Sequence, residues 1–279
     1  MKTFWRGWRV LYDAVDRFNR NDGSAMAGYI VFTGFLSLFP FLIFATTLVG
    51  LLVGAERSDD LTHALFELAP THVAMTLEPV VDEVIGGANQ GILTIAFVFA
   101  IYVASNAVEA FRVAFDRAYN VLDPRGFITC RLIAVGLVFL GAIVAALLGF
   151  TVLLAPIIIR ALRDAGFPVP DFAPALANLF GVLVFIGFLH MMHRVLPGRR
   201  MSVAVVWPGV LITAGLWVAA ASGFSAYLSY TPTYTVTYGA LAGVIITLMF
   251  FYISGAAIIF GAEFNAALNR RTGRFRDRL

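Results

Sequence analysis

The sequence predicts an all-α, polytopic membrane protein with six transmembrane helices, both termini in the cytoplasm, an N-terminal interfacial amphipathic helix and a small external helical cap. Three observations predict this class. Hydrophobic residues make up 60% of the 279 positions and charged residues only 13%, whereas a soluble domain is about 45–50% apolar and about 25% charged. Six apolar runs are long enough to cross a bilayer. The number of basic residues alternates between high and low in the successive segments that flank these runs.

The first segment, residues 1–24, is amphipathic. Aromatic and aliphatic residues recur at helical spacing from Phe4 to Phe18, and arginines and aspartates fill the positions between them. This pattern is typical of a helix that lies in the headgroup layer of a membrane. A soluble capping helix is the alternative.

The predicted membrane domain covers residues 25–268. A helix needs about 20 mainly apolar residues to cross the hydrocarbon core. The runs that meet this requirement lie near residues 27–54, 91–111, 132–159, 175–196, 203–228 and 239–264. The third run would be roughly 42 Å long at 1.5 Å per residue, so we expect it to tilt or to project beyond the hydrocarbon. Within the acidic stretch 55–90 after the first run, Val73, Leu77, Val80 and Val84 recur at three- and four-residue spacing, which predicts the external helical cap.

The distribution of basic residues predicts the orientation. The N-terminal segment, the second and fourth gaps and the basic tail at 269–279 hold 17 of the 20 lysines and arginines when Arg112 is counted with the second gap. Positive charge stays on the cytoplasmic side of membrane proteins. Both termini are therefore predicted to be cytoplasmic, as an even number of spans requires.

Polar side chains at the ends of three runs predict an internal site. Runs two, four and six all cross from outside to inside, so their C-terminal ends share one depth. An ionisable group in hydrocarbon costs at least about 2.5–3.5 kcal/mol and normally faces the bundle interior or water. The predicted polar cavity therefore contains Asn106, Glu109, His190, His193, Glu263 and Asn265. The alternative is that these residues mark where helices leave the lipid, or that Glu109 forms a local ion pair with Arg112.

The first run contains a predicted kink or gate at Gly34, Ser37 and Pro40. Proline removes a backbone hydrogen bond and bends a helix, and broken helices line the substrate sites of many transporters. A proline without a functional role is the alternative, because proline is frequent in membrane helices.

The sequence predicts no catalytic residue, no metal and no cofactor. His190 and His193 have the spacing of half a metal site, but only Glu109 or Glu263 could supply a third ligand. A buried histidine pair is the favoured interpretation. The single cysteine, Cys130, excludes an intramolecular disulfide.

Four stretches resemble the signature segments of a known family. They are YIVFTGFLSLFPFLIF at 29–44, ASNAVEAFRVAFDRAYNV at 104–121, LPGRRMSVAVVWPG at 196–209 and YGALAGVIITLMFFYISGAAIIFGAEFNAAL at 238–268. In these stretches the chain is similar to the YihY/BrkB-type bacterial inner-membrane proteins. The resemblance implies six spans in a bacterial inner membrane, and importance without a catalytic role for Ser37, Pro40, Ser105, Tyr238, Gly239, Gly261, Glu263 and Asn265.

The resemblance also brings a ribonuclease label that some family members carry. A zinc-dependent nuclease would need clustered ligands around an activated water, and the sequence contains no such cluster. We therefore expect no nucleic-acid partner. The favoured function is a transporter or flippase-like protein that takes a lipid or a small amphipathic substrate through an inward-facing polar cavity. The alternatives are a non-catalytic structural subunit of an envelope complex, with a protein partner or as a homo-oligomer, and a membrane enzyme.

Overall fold

A computed structural model describes residues 2–37, 90–230 and 240–271. In these ranges the chain forms helices joined by turns, with no strand, as the all-α prediction requires. The helices are α1 (Lys2–Arg20), α2 (Gly23–Ser37), α3 (Gln90–Tyr119), α4 (Phe127–Gly149), α5 (Ala155–Asp164), α6 (Ala173–Val195), α7 (Val203–Tyr230) and α8 (Ala240–Arg271). The predicted external cap, apart from Gln90, and the predicted gate residue Pro40 lie outside the described residues.

Five described segments are long and apolar enough to cross a membrane. They are Phe97–Tyr119, Phe127–Asp164, Ala173–Val195, Val203–Tyr227 and Gly243–Arg270, and they correspond to predicted runs two to six. The shorter apolar helix α2 covers the start of the first predicted run. α3 continues to Tyr119 instead of ending near residue 111, so Asn106, Glu109 and Arg112 all lie well inside a helix.

The segment Phe127–Asp164 is unusually long and contains a wide turn. Its 38 residues correspond to about 57 Å at 1.5 Å per residue, against about 30 Å of hydrocarbon. The helix must tilt or extend beyond the bilayer core. A π-helical turn, Phe150–Leu154, joins α4 to α5, and the N–H of Ala155 bonds the carbonyl of Phe150. This wider turn directly precedes Pro156, whose ring would otherwise crowd the carbonyl four residues earlier.

The chain divides into two compact units. Unit 1 consists of Met1–Ser24, Phe111–Leu216 and Ala257–Leu279. Unit 2 consists of Ala25–Ala110 and Trp217–Ala256. The helices α3, α7 and α8 therefore contribute residues to both units.

Unit 2 contains an apolar groove between α2 and α8. The indole N–H of Trp217 donates to the hydroxyl of Ser254 at 3.1 Å, and the Trp217 ring packs 5.9 Å from the ring of Phe250. These contacts hold α7 against α8. The groove has a volume of about 430 Å³, and its lining is almost entirely apolar; it consists of Gly28, Val31, Phe32, Leu248, Met249, Tyr252 and Ile253.

In unit 1, α7 and α8 approach each other closely at a pair of glycines. A methyl group on Gly209 would overlap the carbonyl oxygen of Gly261, and one on Gly261 would overlap the hydroxyl of Thr213. That hydroxyl donates to the carbonyl of Ala257 at 3.4 Å. Small residues allow membrane helices to pack this closely. The two glycines therefore set the separation between α7 and α8 at this point.

We predict that Gly261→Ala destabilises the protein, because overpacking a tight contact costs about 1–3 kcal/mol. Thermal unfolding of the purified protein in detergent should show a lower midpoint. Gly215→Ala is the matched control: it lies on α7 within the same unit, and a methyl group there would meet no atom within 4 Å. Equal midpoints for the two variants would contradict the close contact.

Candidate functional site

The polar side chains of unit 1 gather in one region, where α3 and α6 end, where α7 begins, and along the last turns of α8. We call this region the polar end of unit 1. It contains three sets of contacts, centred on Glu263, Asn265 and Asp123. Each set joins segments that are far apart in the sequence.

Glu263 is fully buried although it lies in a membrane-spanning segment. Nε of Arg17 donates to Oε2 of Glu263 at 3.0 Å, and Nδ2 of Asn21 donates to Oε1 at 2.5 Å. Arg17 also donates from Nη2 to the carbonyl of Ala118, near the end of α3. Both carboxylate oxygens therefore accept a hydrogen bond from the N-terminal region, and one of the two bonds is also an ion pair.

The sequence of α1 explains how Arg17 and Asn21 reach Glu263. Val10, Ala14 and Arg17 recur every three or four residues, which places them on one face of α1, and Asn21 continues this spacing directly after the helix ends. Val10 and Ala14 are buried against Ala267 of α8 in a cluster that also includes Phe260, Phe264 and Leu268. Asp22, with a left-handed φ of 56°, lies in the turn after α1. The apolar half of this face therefore docks α1 and leaves the polar half opposite the carboxylate.

Asn265 is buried and bonds the main chain of α7 beside Pro208. Its Oδ1 accepts the N–H of Gly209 at 2.6 Å, and its Nδ2 donates to the carbonyl of Val206 at 2.9 Å. Nδ2 of Asn269 donates to the carbonyl of Val205 at 3.2 Å. In a regular helix Gly209 would itself bond to that carbonyl. The amides of α8 thus hydrogen-bond the backbone of α7 on both sides of a proline, which has no N–H of its own to donate.

Asp123 lies between α3 and α4 and accepts hydrogen bonds from two arginines. Arg125 contacts it through Nε and Nη2, both at 2.8 Å, and Nη1 of Arg112 donates to it at 2.8 Å. The hydrogen bonds and charge of Arg125 hold the pKa of the Asp123 carboxyl well below its usual range. The same contacts raise the pKa of the Arg125 guanidinium. Such paired, charge-assisted hydrogen bonds are among the stronger contacts in proteins.

The same cluster holds the loop that follows α6. Arg125 donates to the carbonyl of Val195 at 3.0 Å and to that of Leu196 at 2.6 Å. The N–H of Gly198 donates to Oδ1 of Asp116 at 2.7 Å. A Cβ atom on Gly198 would lie 2.5 Å from the Cα atom of Asp123. Glycine is therefore required where this loop crosses the segment between α3 and α4.

The two histidines of α6 also belong to unit 1. His193 is fully buried, its Nδ1 lies 2.9 Å from the carbonyl of Leu189, and its ring packs 4.8 Å from the ring of Phe115. The ring of His190 packs 5.0 Å from that of Trp207. Nε2 of His193 and Nδ1 of His190 are buried side-chain nitrogens that lack a hydrogen-bond partner among the described residues. Both rings therefore make aromatic contacts and leave one nitrogen unsatisfied.

The remaining predicted site residues lie in unit 2. Asn106 and Glu109 are half-buried on α3, and each makes polar interactions within the chain. The hydroxyl of Ser37 donates to the carbonyl of Gly34 at 2.6 Å, a local bond within α2. The predicted cavity residues are therefore divided between the units, with His190, His193, Glu263 and Asn265 in unit 1.

Sequence reasoning missed the partners of these residues. Arg17 and Asn21 were not among the predicted site residues, and neither were Asp123, Arg125 and Gly209. The stripe that Arg17 shares with Val10 and Ala14 was visible in the sequence, but its partner on α8 was not. Among the described residues, no group of three or more His, Cys, Asp or Glu side chains is placed to hold a metal ion.

Comparison with known proteins decides the family. The family described as virulence factor BrkB matches residues 14–278. This chain belongs to the BrkB family. The family assignment confirms the resemblance that the sequence motifs indicate, and it places the described apolar helices in an integral membrane protein embedded in a lipid bilayer.

Relatives of this BrkB-family chain match it over most of their length. The ribonuclease-like protein YfkH of Bacillus subtilis is 30% identical over 272 residues, which cover 94% of this chain and 95% of YfkH. A UPF0761 membrane protein of Pseudoalteromonas translucida is 25% identical over 274 residues, which cover 94% and 86% of the two chains. Another UPF0761 membrane protein, from Pseudoalteromonas atlantica, is 24% identical over 255 residues, or 89% and 82%. No solved structure matches the chain.

We predict that Asn265→Ala destabilises the protein by removing the hydrogen bonds to Gly209 N–H and to the carbonyl of Val206, at about 1–3 kcal/mol for each buried group that is left unsatisfied. The loss should be smaller in a Pro208→Ala background, because alanine restores an N–H at position 208 and allows a regular helix. The measurement is the midpoint of SDS-induced unfolding for the wild type, both single variants and the double variant. Asn178→Ala, an exposed amide on α6, is the control. An equal cost of Asn265→Ala in both backgrounds would show that the amide does not compensate for the proline.

We also predict a pH-dependent contribution from Asp123. Its folded pKa lies below the ordinary value of about 3.9, so its stabilisation is present at pH 7 and is lost as the pH falls below about 4. Asp123→Asn removes this contribution at every pH. The thermal midpoint of the variant should lie below that of the wild type at pH 7, and the difference should narrow between about pH 5 and pH 3. Asp171→Asn, which changes an exposed carboxylate, should show no such trend. A difference that stays constant with pH would contradict the role of the charge.

Proposed function

We propose that this protein is a transporter or flippase-like protein of a bacterial inner membrane, and that it moves an amphipathic or lipid-related molecule through an inward-facing polar cavity. In this proposal both termini are cytoplasmic. The polar end of unit 1 then lies at the cytoplasmic side, and the contacts of Glu263 with α1 close the mouth of the cavity.

The observation that carries the proposal is the ion pair between the buried Glu263 and the partly exposed Arg17. An ionisable residue inside a spanning helix is costly, and such residues commonly mark a transport pathway. A buried ion pair gives little net stability compared with apolar residues of similar size. Its presence is therefore better explained by a contact that can form and break than by a need for stability. Because the two partners lie on separate helices, breaking the pair would release α1 from α8.

The backbone of α7 supports the same proposal. Beside Pro208 the N–H of Gly209 and the carbonyl of Val206 hydrogen-bond the side chain of Asn265. Side-chain hydrogen bonds can exchange partners without unwinding a helix, and discontinuous helices are common at the substrate sites of transporters. This position on α7 is therefore suited to act as a hinge.

The apolar groove of unit 2 supports the substrate class. Its volume of about 430 Å³ falls in the range of small-molecule sites. The walls come from α2 and α8 and offer almost no polar atoms. Such a groove favours the hydrocarbon part of an amphipathic molecule.

A ribonuclease activity is not part of the proposal. A general base must be able to take up a proton near the working pH. The carboxylate of Asp123 is bonded by two arginines, which depress its pKa, and Glu263 already accepts from Arg17 and Asn21. These carboxylates are therefore poorly suited to RNA cleavage. Among the described residues, His190 and His193 are the candidates on which a membrane enzyme would rely.

The second candidate function is that of a non-catalytic subunit of an envelope complex, with a protein partner or as a homo-oligomer. The observation that favours it is that Glu263, Asn265 and Asp123 all bond to groups of the same chain. Polar contacts of this kind could hold a scaffold together without lining a pathway.

A disulfide lock between α1 and α8 distinguishes the two functions. In a Cys130→Ala background, Val10→Cys and Ala267→Cys place two thiols within one buried cluster. We expect the oxidised double variant, reconstituted in proteoliposomes, to stop the movement of fluorescent nitrobenzoxadiazole-phosphatidylglycerol between leaflets. Dithionite quenching measures this movement, and a reductant should restore it.

The controls are the two single-cysteine variants, which should transport like the Cys130→Ala protein under oxidation. Loss of maleimide labelling confirms that the lock has formed. If the locked protein moves the lipid as fast as the unlocked protein, the contact between α1 and α8 does not act as a gate. Flux no greater than in protein-free vesicles for the unlocked protein would contradict the lipid-related substrate and favour the structural function.

A further inference from the structure

The connection between α6 and α7 carries three arginines whose charges are not balanced by carboxylates. Arg194 lies in the last turn of α6, and Arg199 and Arg200 follow in the loop. All three residues are exposed, and their side chains form no ion pair or hydrogen bond within the part of the chain that the structure describes. We call these three residues the loop arginines.

The carboxylates beside this loop are already paired with other arginines. Asp116 accepts the N–H of Gly198 at 2.7 Å, and it pairs with Arg112 at 3.2 Å. Asp123 pairs with Arg112 and with Arg125, both at 2.8 Å. Two aspartates are thus matched by two arginines, so the loop arginines keep a net positive charge at this end of the unit.

Contacts on both sides of the loop fix its backbone. Arg125 donates to the carbonyls of Val195 and Leu196 at 3.0 and 2.6 Å. The N–H of Met201 donates to the carbonyl of Arg194 at 3.5 Å, so the loop returns to the end of α6. A backbone that is already ordered loses little conformational entropy when a ligand binds.

The loop lies at one face of the membrane. It joins the spanning segments Ala173–Val195 and Val203–Tyr227. The ring of His190 packs 5.0 Å from the ring of Trp207, so the two segments lie side by side at this end. Irregular backbone that is exposed to lipid does not occur within the hydrocarbon. A short connection between two successive spans therefore lies at the depth of the lipid headgroups.

An exposed apolar stripe continues from the loop along α7. Val203, Trp207 and Leu211 recur every four residues, which places them on one face of the helix. They are 43%, 40% and 56% exposed and lie in the spanning segment. A positive loop at the end of an apolar stripe matches a molecule that joins a phosphate to acyl chains. A nucleic acid or an acidic peptide would use the charge and leave the stripe uncovered.

We propose that Arg194, Arg199 and Arg200 bind the phosphate of an anionic phospholipid, whose acyl chains lie along the apolar stripe of α7. Basic sites between membrane helices bind anionic headgroups in this way. A zwitterionic lipid carries its own cation and would balance the loop arginines less well. This site is independent of the transport proposal, because the lipid binds to the outer surface of α6 and α7 and is not the molecule that is moved.

Native mass spectrometry of the full-length protein in detergent tests the site. Dioleoyl-phosphatidylglycerol or dioleoyl-phosphatidylcholine is titrated into the wild type and into each variant. One triple variant removes the charges through Arg194→Gln, Arg199→Gln and Arg200→Gln. A second triple variant keeps them through Arg194→Lys, Arg199→Lys and Arg200→Lys. Size-exclusion chromatography confirms that each protein is folded.

The matched control removes three exposed arginines from other parts of the chain, through Arg9→Gln, Arg160→Gln and Arg163→Gln. We expect the wild type to bind phosphatidylglycerol about tenfold more tightly than phosphatidylcholine. The glutamine variant of the loop should lose this preference, while the lysine variant and the control should keep it. Equal binding of both lipids by the wild type would overturn the proposal, and so would an equal loss in the control.

Two competitors distinguish a lipid from other phosphate ligands. Glycerol 3-phosphate and a single-stranded oligonucleotide are each added at the same concentration as phosphatidylglycerol. We expect neither to displace the lipid, because neither can cover the apolar stripe. Displacement by glycerol 3-phosphate would assign the loop arginines to a soluble phosphate compound, and displacement by the oligonucleotide would assign them to a nucleic acid. Either result would contradict the lipid site.

Discussion

A carboxylate on a membrane-spanning helix needs a cation or water, and this requirement organises unit 1. Glu263 is fully buried and receives its hydrogen bonds from Arg17 and Asn21. That pairing requires α1 to lie along the end of α8, where Val10 and Ala14 add apolar contact. Because Arg17 also reaches the carbonyl of Ala118, the end of α3 is held by the same guanidinium. One buried charge thus determines where three helices meet.

Buried main-chain groups of this protein also need hydrogen-bond partners. Beside Pro208 the amide of Asn265 bonds the backbone of α7, which it can reach because glycines at 209 and 261 bring the two helices together. The glycine contact and the amide contact therefore depend on each other. Asp123 and Arg125 play the corresponding role for the loop after α6, whose carbonyls accept from the guanidinium. At each of these points a polar side chain hydrogen-bonds backbone groups of another segment.

Composition and periodicity predicted the helices well, because the need for apolar length is local and visible in the sequence. The same reasoning predicted that Glu263 and Asn265 would not face lipid, since both are too polar for hydrocarbon. Their partners could not be predicted in this way. Arg17 and Glu263 are separated by 246 positions, and no periodic pattern connects them. The shared cavity with Asn106 and Glu109 stays a prediction, and the external cap and Pro40 lie beyond the described ranges.

The distance along the chain between Arg17 and Glu263 has a consequence for biogenesis. The ribosome makes α1 before α8, so Arg17 cannot pair with Glu263 until α8 has been synthesised. The translocon must then accept a helix that carries a carboxylate, at a cost of about 2.5–3.5 kcal/mol near the helix centre. Release of α8 into lipid becomes favourable once Arg17 meets it. Docking of α1 on α8 therefore comes late in the assembly of this region, after α8 has entered the membrane.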